Sequence, residues 1–455
     1  MYNIAVILAG GFGTRLFPLS RINYPKQFLR IFRGKSLLQI TYERLKNLKI
    51  FDDIWVCANK KHLYLIRRDL QDISHKIVLE EKSKNTAYAF LYSTFKILNN
   101  LGLNDSNFIF FPSDHFIFND NSFNVSVKDL IVFLGKYQRT FIVGVKPTFP
   151  STEYGYIKKG YNIDDSLFTV DRFVEKPNKS RAMYYLKKDY YLWNSGIYAF
   201  NFRFFLHDLF SVNPDLGSFS NLEVLETKID IFPNISIDYL YSQRSSNLAV
   251  LQSNFGWSDL GSFEEIIKIS NINNEKVIHV DSNVDVILDE FENFRDKKYC
   301  FIDVDDLVIV DTSDFQLVSK KGKTQKISKI LENISREQRE YNSFDFRPWG
   351  YYREIEKSRS RYRIKNIVIY PSQELSLQYH NHRDEYWVVV NGRGKLVIDN
   401  TIVDISPGKF FHIPKGSVHK VINNSNENIE IIEIQLGDIL SEDDIIRIND
   451  KYDRV

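Results

Sequence analysis

The feature that most constrains the fold is an apolar run near the start of the chain that ends in closely spaced glycines. Residues 4–9 have the length and β-branched content of a buried parallel strand. Three residues after it leave backbone N–H groups free to approach an anion: Gly10, Gly11 and Gly13. Arg15 and Lys26 then add two positive charges. This arrangement predicts a loop that binds a triphosphate at the end of a strand.

Two other phosphate-binding loops are excluded by their spacing. A P-loop requires Gly-x4-Gly-Lys-Ser/Thr, and neither Gly34-Lys35-Ser36 nor Gly394-Lys395-Leu396 has a glycine at the required position. The dinucleotide fingerprint Gly-x-Gly-x-x-Gly is not matched by residues 11–16 either. The type of loop therefore depends on the residues around it.

The segment around the loop resembles the signature of the sugar-1-phosphate nucleotidyltransferases. Residues 14–16 (Thr-Arg-Leu), 19–21 (Leu-Ser-Arg) and 24–29 (Tyr-Pro-Lys-Gln-Phe-Leu) are similar to the mannose-1-phosphate guanylyltransferase branch. That branch usually has Ser at the position of Phe12 and Trp at the position of Phe17. The resemblance implies that four loop residues contact the nucleotide: Gly10, Gly11, Gly13 and Thr14.

Composition excludes several classes of protein. The chain has 455 residues, of which 43% are apolar and 26% charged, and this is typical of a soluble globular protein with two or three domains. A net charge of +2 argues against nucleic acid as a partner. No uncharged apolar run reaches the ~18 residues of a membrane span, and no basic segment typical of a signal peptide precedes the glycine loop. We expect a cytoplasmic protein with no membrane partner.

The pattern of strands and helices predicts an α/β domain in residues 1–265. Short apolar strands alternate with amphipathic helices, as in a mostly parallel, Rossmann-like sheet. Ser36 and Asn85 stand where helix N-caps are expected. In such sheets ligands bind beyond the carboxyl ends of the strands, where the glycine loop falls. The expected strands are residues 4–8, 54–58, 77–79, 108–111 and 141–145.

Two further regions complete the chain. Residues 266–340 contain short strand-like pieces between acidic turns and then a polar run, and we interpret them as a small β-rich connector and linker. In residues 341–455 many short strands recur between turns, which predicts an all-β barrel or double-sheet jelly roll. Its expected strands are residues 364–369, 385–390, 394–398, 409–413, 418–422 and 429–435.

Two aspartates from distant parts of the chain are candidates for binding a metal ion. Asp114 comes directly after an expected strand, so its carboxylate should face the same crevice as the glycine loop. Asp259 lies in the segment Phe-Gly-Trp-Ser-Asp-Leu-Gly-Ser. A lone aspartate at such a place is more often a turn residue or a helix cap. Together the two could hold Mg²⁺ between nucleotide and sugar phosphates, which is the role that the resemblance implies.

The resemblance extends to a sugar pocket. Lys176 offers a point charge for the sugar phosphate, and Glu175 an acceptor for sugar hydroxyls, although a Glu-Lys pair on a solvated strand edge would look the same. Gly155 would let the backbone approach the sugar ring. Asn194 could both donate hydrogen bonds to hydroxyls and accept them.

The reaction that the resemblance implies is a nucleotidyl transfer. The phosphate oxygen of mannose 1-phosphate attacks the α-phosphorus of GTP, and GDP-mannose and pyrophosphate result. A sugar phosphate is already ionised, so positioning and charge neutralisation supply most of the rate. We expect Arg15 to bind the departing pyrophosphate and Lys26 the α-phosphate. Asn85 and Thr86 are either base and ribose contacts or only the start of a helix.

The carboxy-terminal region carries a second set of candidate metal ligands. His380 and His382 alternate on a strand-like segment, so both should face one side of it. Glu385 and His419 stand at a spacing that suits a divalent-metal site with open positions. Half-buried histidines without metal are common, so the two neighbouring histidines alone would be weak evidence. Gln378 could be a ligand in place of His382.

These segments resemble the paired motifs of the cupin fold. With residues 347–350 and 375–380 they are similar to the type II mannose-6-phosphate isomerases. The resemblance implies a site for Zn, Mn, Co or Fe at which mannose 6-phosphate and fructose 6-phosphate interconvert as a base moves a proton through an enediol. Arg383 or Lys365 could hold the 6-phosphate. Tyr386 stands where the family usually has histidine.

The resemblance covers nearly the whole chain, in the order nucleotidyltransferase, connector, cupin. Three interpretations stay open: an enzyme with both activities, a transferase whose cupin domain only stabilises or dimerises it, and a non-catalytic sensor of sugar nucleotides. The presence of Lys26, Asp114 and Asp259 together argues against the sensor. A homodimer is compatible with the first two.

Overall fold

The computed structural model describes residues 1–11, 13–32, 34–70, 76–270, 276–289, 297–340, 344–358 and 361–452. Phe12 lies outside the described residues, and of Thr14 only the backbone is described. The described chain divides into two compact units. The first contains the residues up to 310 together with 317–331, and the second contains 311–316 and 332–452.

A mixed sheet lies at the centre of the first unit. Nine strands of the described chain form it, in the order β3-β2-β1-β4-β9-β6-β10-β8-β7. A separate pair, β5 and β11, is antiparallel. The strands are β1 Asn3–Leu8, β2 Asp53–Asn59, β3 Ile77–Glu80, β4 Asn107–Pro112, β5 Phe116–Ile117, β6 Thr140–Val145, β7 Tyr156–Asp164, β8 Leu167–Val174, β9 Tyr191–Asn201, β10 Leu248–Ser253 and β11 Trp257–Ser258.

The α/β fold is confirmed, but only part of the sheet is parallel. β1 pairs in parallel with β2 and β4, β2 with β3, and β6 with β10. The long strand β9 lies antiparallel between β4 and β6, and β7 and β8 add further antiparallel pairs. The sheet is therefore mixed rather than mostly parallel. The parallel strands nevertheless bring the ends of β1, β3 and β4 to one edge.

Eight helices of the described chain accompany this sheet. Ser36 caps α1 as expected, because its side chain accepts a hydrogen bond from Gln39 N (3.1 Å) while the Gln39 side chain accepts one from Ser36 N (2.9 Å). Asn85 is not the N-cap of α3 but its first residue, with a φ of 66°. The helices are α1 Leu37–Leu48, α2 Leu63–Asp69, α3 Asn85–Leu101, α4 Asp120–Lys136, α5 Lys179–Leu186, α6 Phe202–Val212, α7 Leu222–Thr227 and α8 Phe263–Ser270.

Short strands and helices follow α8. β12 pairs with β14, and β13, β15 and β16 form a three-stranded sheet, as the alternation of apolar residues and acidic turns indicated. The polar run that follows contains two short helices. The bounds are β12 Val277–Val280, β13 Asn283–Leu288, β14 Tyr299–Ile302, β15 Asp305–Asp311, β16 Gln316–Lys320, α9 Ser328–Leu331 and α10 Arg336–Glu340.

The second unit is an all-β cupin-like double sheet, as predicted. One sheet has the order β17-β18-β19-β26-β21-β24 and the other β23-β22-β25-β20-β27. Apolar residues of both sheets form its core, among them Trp387 and Val421. The strands are β17 Phe344–Arg347, β18 Gly350–Lys357, β19 Tyr362–Ile369, β20 Leu377–His380, β21 Arg383–Asn391, β22 Gly394–Ile398, β23 Thr401–Ile405, β24 Phe410–Ile413, β25 His419–Ile422, β26 Ile429–Gly437 and β27 Ile445–Asn449.

None of the helices in the described ranges has both the length and the apolar character that a bilayer crossing requires.

Candidate active sites

Lys26 connects the two aspartates that the sequence singled out. It starts a short 3₁₀ helix, Lys26–Phe28, and its side chain is almost fully buried. Its ammonium group donates hydrogen bonds to Asp114 Oδ2 at 2.9 Å and to the backbone carbonyl of Asp259. Gly13, at a φ of 57°, allows this approach, because a Cβ there would lie 2.7 Å from the backbone nitrogen of Lys26. Three segments far apart in sequence therefore meet at one ammonium group.

Asp114 is held in its ionised form. Burial alone would raise the pKa of its carboxyl group, but the neighbouring Lys26 outweighs this effect and lowers the pKa to about 2. His115 adds to the same effect, with its Nε2 atom 3.7 Å from Asp114 Oδ1. An ionised carboxylate is the state that binds a hard cation.

Asp259 is oriented by a buried tyrosine. Tyr154 donates its hydroxyl hydrogen to Asp259 Oδ1 at 2.6 Å, and Gly261 N donates to the same oxygen at 3.1 Å. Burial raises the pKa of Tyr154, so its hydroxyl stays protonated. Trp193 and Trp257 contact the ring of Tyr154 edge to face, each at a centroid distance of 5.0 Å. The orientation of this carboxylate thus depends on a packed aromatic cluster.

Arg15 lies on the other side of Asp259. Its Nη1 atom is 3.7 Å from Asp259 Oδ2 and 3.7 Å from Glu153 Oε2, and half of its side chain is exposed. Arg15 and Asp259 line a cavity of about 250 Å³ whose wall also includes Gln325 and Ser328. An exposed guanidinium beside two carboxylates can exchange them for a phosphate group.

The donor set at this site fits Mg²⁺. Asp114 and Asp259 provide hard carboxylate oxygens, and Lys26 and Arg15 provide charges that triphosphate oxygens would meet beside the ion. Asp114 is one-third exposed, so one of its oxygens can reach a ligand.

The glycine loop opens onto a larger cavity of about 560 Å³. Gln27, which is buried, fixes the loop by donating from Nε2 to the carbonyl groups of Ala9 (2.8 Å) and Gly11 (2.9 Å). Five predicted residues line this cavity together: Gly10, Gly11, Asn85, Thr86 and Asp114. The structure therefore brings the loop, the start of α3 and the candidate metal ligand Asp114 to one space.

Asn85 and Thr86 have structural contacts as well as a place in the cavity wall. The side-chain oxygen of Asn85 accepts a hydrogen bond from Thr86 N at 2.8 Å. Thr86 Oγ1 accepts one from Ile237 N at 2.9 Å. These contacts fix the start of α3 and tie it to the segment that contains Ile237.

The predicted sugar residues also converge. Gly155 allows Glu175 to approach, because a Cβ on this glycine would lie 2.6 Å from Glu175 Oε2. Burial, followed by the charge of Asp238, raises the pKa of Glu175 to about 7. Asn194 donates from Nδ2 to Asp238 Oδ1 at 2.9 Å. Lys176 lies at the edge of this group, 3.6 Å from Glu175 and about half exposed.

Two carboxylates in the large cavity were missed by sequence reasoning. Glu80, the last residue of β3, is buried, and this burial raises its pKa to about 7. Its Oε1 atom has no hydrogen-bond partner in the described structure. The rule that ligands meet the ends of parallel strands could have identified it. Asp238 begins a one-turn π-helix, Asp238–Ser242, and no pattern in the sequence marks it.

The second site lies inside the second unit. Among the described residues, the candidate ligand atoms of His380, Glu385 and His419 all lie within 4.8 Å of one another, and all three side chains are buried. His380 Nε2 is 3.0 Å from Glu385 Oε1, and His419 Nε2 is 3.5 Å from Glu385 Oε2. Glu385 Oε2 and His419 Nε2 have no hydrogen-bond partner in the described chain.

The hydrogen bonds of the two histidines fit a metal site. Nδ1 of His380 faces the carbonyl group of Asp444 at 3.3 Å, and Nδ1 of His419 faces that of Ser417 at 2.9 Å. A carbonyl group only accepts hydrogen bonds, so each Nδ1 carries the proton. In a neutral ring, the Nε2 lone pair of His419 then points at Glu385 Oε2 with no donor between them, which is unfavourable unless a cation lies there. Two imidazoles and a carboxylate around this point fit a divalent transition metal.

His382 is not part of this group. The prediction extended strand alternation through residue 382, but β20 ends at His380 and the next two residues form a bend. The side chain of His382 is exposed as a result. Gln378 does share the face of His380, because it lies two residues earlier in β20 and pairs with His419 across the sheet. The alternative ligand named from the sequence is thus the better placed one.

Tyr386 faces away from the group formed by His380, Glu385 and His419. Glu385 and Trp387 point into the double sheet and are almost fully buried, so the side chain between them points out. Its ring stacks on His412 at a centroid distance of 4.6 Å. The departure from the family pattern at this position therefore lies on the outer surface of β21.

Arg383 and Lys365, the two candidates for the 6-phosphate, line one small cavity of about 50 Å³ with Glu385 and Gln378. Arg383 is fully buried and donates from Nε to Glu385 Oε1 at 3.1 Å. Lys365 donates from its ammonium group to Glu442 Oε1 at 2.7 Å.

Comparisons with known proteins identify two families along the chain. The nucleotidyl transferase family matches residues 4–276, and the mannose-6-phosphate isomerase C-terminal family matches residues 334–450. A mannose-1-phosphate guanylyltransferase of Salmonella montevideo is 33% identical, with 99% of each chain covered. The chain belongs to the mannose-1-phosphate guanylyltransferase family. The resemblance that the sequence motifs indicated is confirmed.

Two further relatives extend the comparison. The xanthan biosynthesis protein XanB of Xanthomonas campestris is 32% identical, again over 99% of each chain. A solved structure from Thermus thermophilus, described as a mannose-1-phosphate geranyltransferase, has a TM-score of 0.61 and 25% identity. It covers 73% of this chain and is itself covered to 99%.

Proposed function

We propose that the first unit transfers GMP from GTP to mannose 1-phosphate and releases pyrophosphate. The observation that carries this proposal is the meeting of Lys26, Asp114 and Asp259 at one point beside the glycine loop. A binding protein requires a cavity and a phosphate loop, but it does not require a buried cation that joins the carboxylate of one candidate metal ligand to the backbone of the other. Such an arrangement neutralises charge that develops on a transferring phosphoryl group.

Each charged residue has a role in this reaction. Lys26 neutralises the α-phosphate as the sugar phosphate oxygen attacks it. Arg15 binds the departing pyrophosphate, for which its half-exposed guanidinium is accessible. Asp114 and Asp259 would hold Mg²⁺, which supplies further positive charge to the phosphate oxygens. The attacking oxygen is already ionised, so none of these residues has to remove a proton.

Mannose binds beside the Gly155–Glu175 contact in this proposal. Glu175 and Asp238 accept hydrogen bonds from sugar hydroxyls, and Asn194, already fixed by Asp238, donates to them. Lys176 is near enough to this group to contact the sugar phosphate. The close approach at Gly155 places the Glu175 carboxylate where a side chain at residue 155 would otherwise stand.

Glu80 is our candidate for recognising the guanine base. The Watson–Crick edge of guanine carries donors at N1 and N2, which adenine does not present together. A buried carboxylate with an unpartnered oxygen in the nucleotide cavity matches these donors. Gly10 lies against it, since a Cβ there would be 3.1 Å from Glu80 Oε2.

For the second unit we propose the interconversion of mannose 6-phosphate and fructose 6-phosphate. His380, Glu385 and His419 would hold a divalent Zn, Mn, Co or Fe ion, with Gln378 as a further ligand, and the metal would polarise the substrate's oxygens. Arg383, buried beside Glu385, donates a hydrogen bond to that carboxylate and holds it in place. The outward orientation of Tyr386 supports activity here, because the changed residue does not line the site.

Two assays on the purified full chain test these proposals. Pyrophosphate is followed with GTP and mannose 1-phosphate, and fructose 6-phosphate with mannose 6-phosphate and added metal. Pyrophosphate without isomerisation would make the cupin domain a structural one. If neither activity is detected but the chain binds GDP-mannose, the non-catalytic sensor is the remaining interpretation.

A further inference from the structure

Three basic side chains in the second unit converge on one carboxylate. Glu442 Oε1 lies 2.7 Å from the Lys365 ammonium nitrogen and 3.5 Å from Arg363 Nη1, and Glu442 Oε2 lies 3.9 Å from Arg347 Nη2. Burial alone would raise the pKa of Glu442, but Lys365, Arg347 and Arg363 hold it well below its usual range. Glu442 is therefore a firmly ionised anion bound by three cations.

This group has the form of a phosphate site. Lys365 and Arg363 lie on β19 with their side chains at least nine-tenths buried, and two guanidinium groups with an ammonium group are the donors that phosphate oxygens prefer. The ring of Tyr352 fixes two of them, with Lys365 Nζ 4.5 Å and Arg347 Cζ 5.6 Å from its centroid. A single carboxylate offers fewer oxygens than these donors can bind.

The strand register connects this group with the metal-binding group. Arg363 pairs with Gln435 on β26, and Gln435 pairs with Glu385 on β21. Two strand spacings, about 10 Å, therefore separate Arg363 from the metal-binding carboxylate. Lys365, Arg347, Glu442 and Glu385 all line the same small cavity. This separation is comparable to the reach of an open-chain hexose phosphate from its carbonyl end to its phosphate.

We propose that Arg347, Arg363 and Lys365 form the subsite for the phosphate group of a sugar phosphate, and that Glu442 occupies this subsite until the phosphate replaces it. The inference rests on the proposed isomerase function and adds the position of the phosphate and an internal competitor for it.

The exchange requires little movement of the backbone. Arg363 Nη1 donates to the carbonyl group of Leu440 at 3.0 Å, and Arg383 Nη1 donates to that of Ser441 at 3.0 Å. These bonds hold the segment that carries Glu442. Its side chain is 29% exposed, so rotation toward solvent is enough to release the three cations. The cavity of about 50 Å³ is too small for a sugar phosphate while Glu442 remains in it.

The cations also have other partners, so loss of the Glu442 charge should not unfold the unit. Arg347 Nη2 lies 2.6 Å from Asp345 Oδ2, and Arg363 contacts Glu354. The variant Glu442→Gln is therefore a suitable test. Glu374→Gln is a matched control, because Glu374 also pairs with a lysine of the second unit, Lys420, at 3.3 Å.

The experiment measures the binding of mannose 6-phosphate to the full, metal-loaded chain by calorimetry. We expect Glu442→Gln to bind it about tenfold more tightly than the wild type and Glu374→Gln to bind it equally. Lys365→Ala should bind it at least tenfold more weakly, and its residual binding measures the contribution of the first unit. Equal or weaker binding by Glu442→Gln, with an unchanged melting temperature, would overturn the inference.

Two additions keep the test decisive. If Glu442→Gln does not fold, Glu442→Asp is the alternative variant, because it shortens the side chain by one methylene group while the backbone stays held. Binding of mannose 6-phosphate should then tighten at least threefold. Unchanged binding would overturn the inference. Tighter binding by the variant without isomerisation by any form of the chain would contradict the proposed isomerase but support the subsite. Isomerisation with no effect of Glu442→Gln would contradict the subsite alone.

Discussion

The ammonium nitrogen of Lys26 lies 2.9 Å from Asp114 Oδ2, although the two residues are 88 positions apart in the chain. The same nitrogen donates to the backbone carbonyl of Asp259. This relationship explains why a short loop near the start of the chain depends on two much later segments. It also places a buried positive charge where a transferring phosphate group would be bound.

Replacement of Lys26 by alanine should lower the kcat of pyrophosphate release far more than it changes the KM values. The lysine acts on charge that grows in the transition state, and loss of one such group costs about 10²–10³ in rate. Lys35→Ala is a control, since Lys35 forms an exposed ion pair with Glu43 at 2.7 Å. A Lys26→Ala enzyme with near-normal kcat would refute the role of this residue.

The affinity for GTP should rise between pH 6 and pH 8 because of Glu80. The pKa of Glu80 is about 7 as a result of burial, and only its ionised form accepts hydrogen bonds from both donors of guanine at once. Donors stabilise the ionised form, so binding releases a proton, and affinity grows as pH rises through 7. Titrations at several pH values measure this effect.

Glu80→Gln is the control for this pH dependence, because it removes the titrating carboxyl group and leaves the titration of the triphosphate itself. The variant should bind GTP more weakly and discriminate less against ATP. An identical pH dependence in the wild type and the variant would exclude Glu80 from base recognition.

Gly155→Ala should raise the KM for mannose 1-phosphate by about tenfold, the scale of one lost pocket contact, with little effect on the KM for GTP. The new Cβ would lie 2.6 Å from Glu175 Oε2, so this carboxylate must move out of the sugar pocket. Gly217→Ala is the matched control, because no atom lies within 4 Å of a Cβ added there. An unchanged KM for the sugar phosphate in Gly155→Ala would place the sugar elsewhere.

Gln378→Ala and His382→Ala should differ in their metal affinity. Gln378 shares the face of His380 on β20, whereas His382 is exposed beyond the end of that strand. We expect about a tenfold or greater loss of affinity for Gln378→Ala and almost none for His382→Ala. Competition with a chromogenic chelator measures both values without reference to activity. A larger loss of metal affinity for His382→Ala than for Gln378→Ala would favour His380 and His382 together as ligands, as the sequence suggested.

Tyr386→His should leave isomerisation within about twofold of the wild-type rate, because the side chain stacks on His412 outside the double sheet and surface changes have small effects. Isomerase assays of the two proteins at equal metal content check this expectation. A large gain from the histidine would mean that residue 386 acts in the site from a conformation in which its side chain turns inward.

The sequence predicted the parts of the molecule that follow from local rules. The apolar run before Gly10 predicted β1, Ser36 predicted the start of α1, and the order of strands and helices predicted an α/β domain followed by a β domain. The position of β9 did not follow from the sequence, because strand length and composition do not reveal that a strand will enter antiparallel between β4 and β6.

The site residues also divide into those that a local motif predicts and those that it does not. Residues in marked motifs, such as Asp114 and His419, lie where the motifs indicated. His382 lies outside the group of His380, Glu385 and His419, because β20 ends two residues earlier, at His380, and strand alternation does not reach residue 382. Asp238 and Glu442 contact residues far away in sequence, and such contacts leave no local pattern.

The most direct test of this account is a crossed comparison of the two activities in Lys26→Ala and His380→Ala, each as the full chain with metal added. We expect Lys26→Ala to lose pyrophosphate release but keep isomerisation, and His380→Ala to do the reverse. Loss of both activities in either folded variant, or isomerisation that survives in His380→Ala, would contradict two separate active sites on one chain.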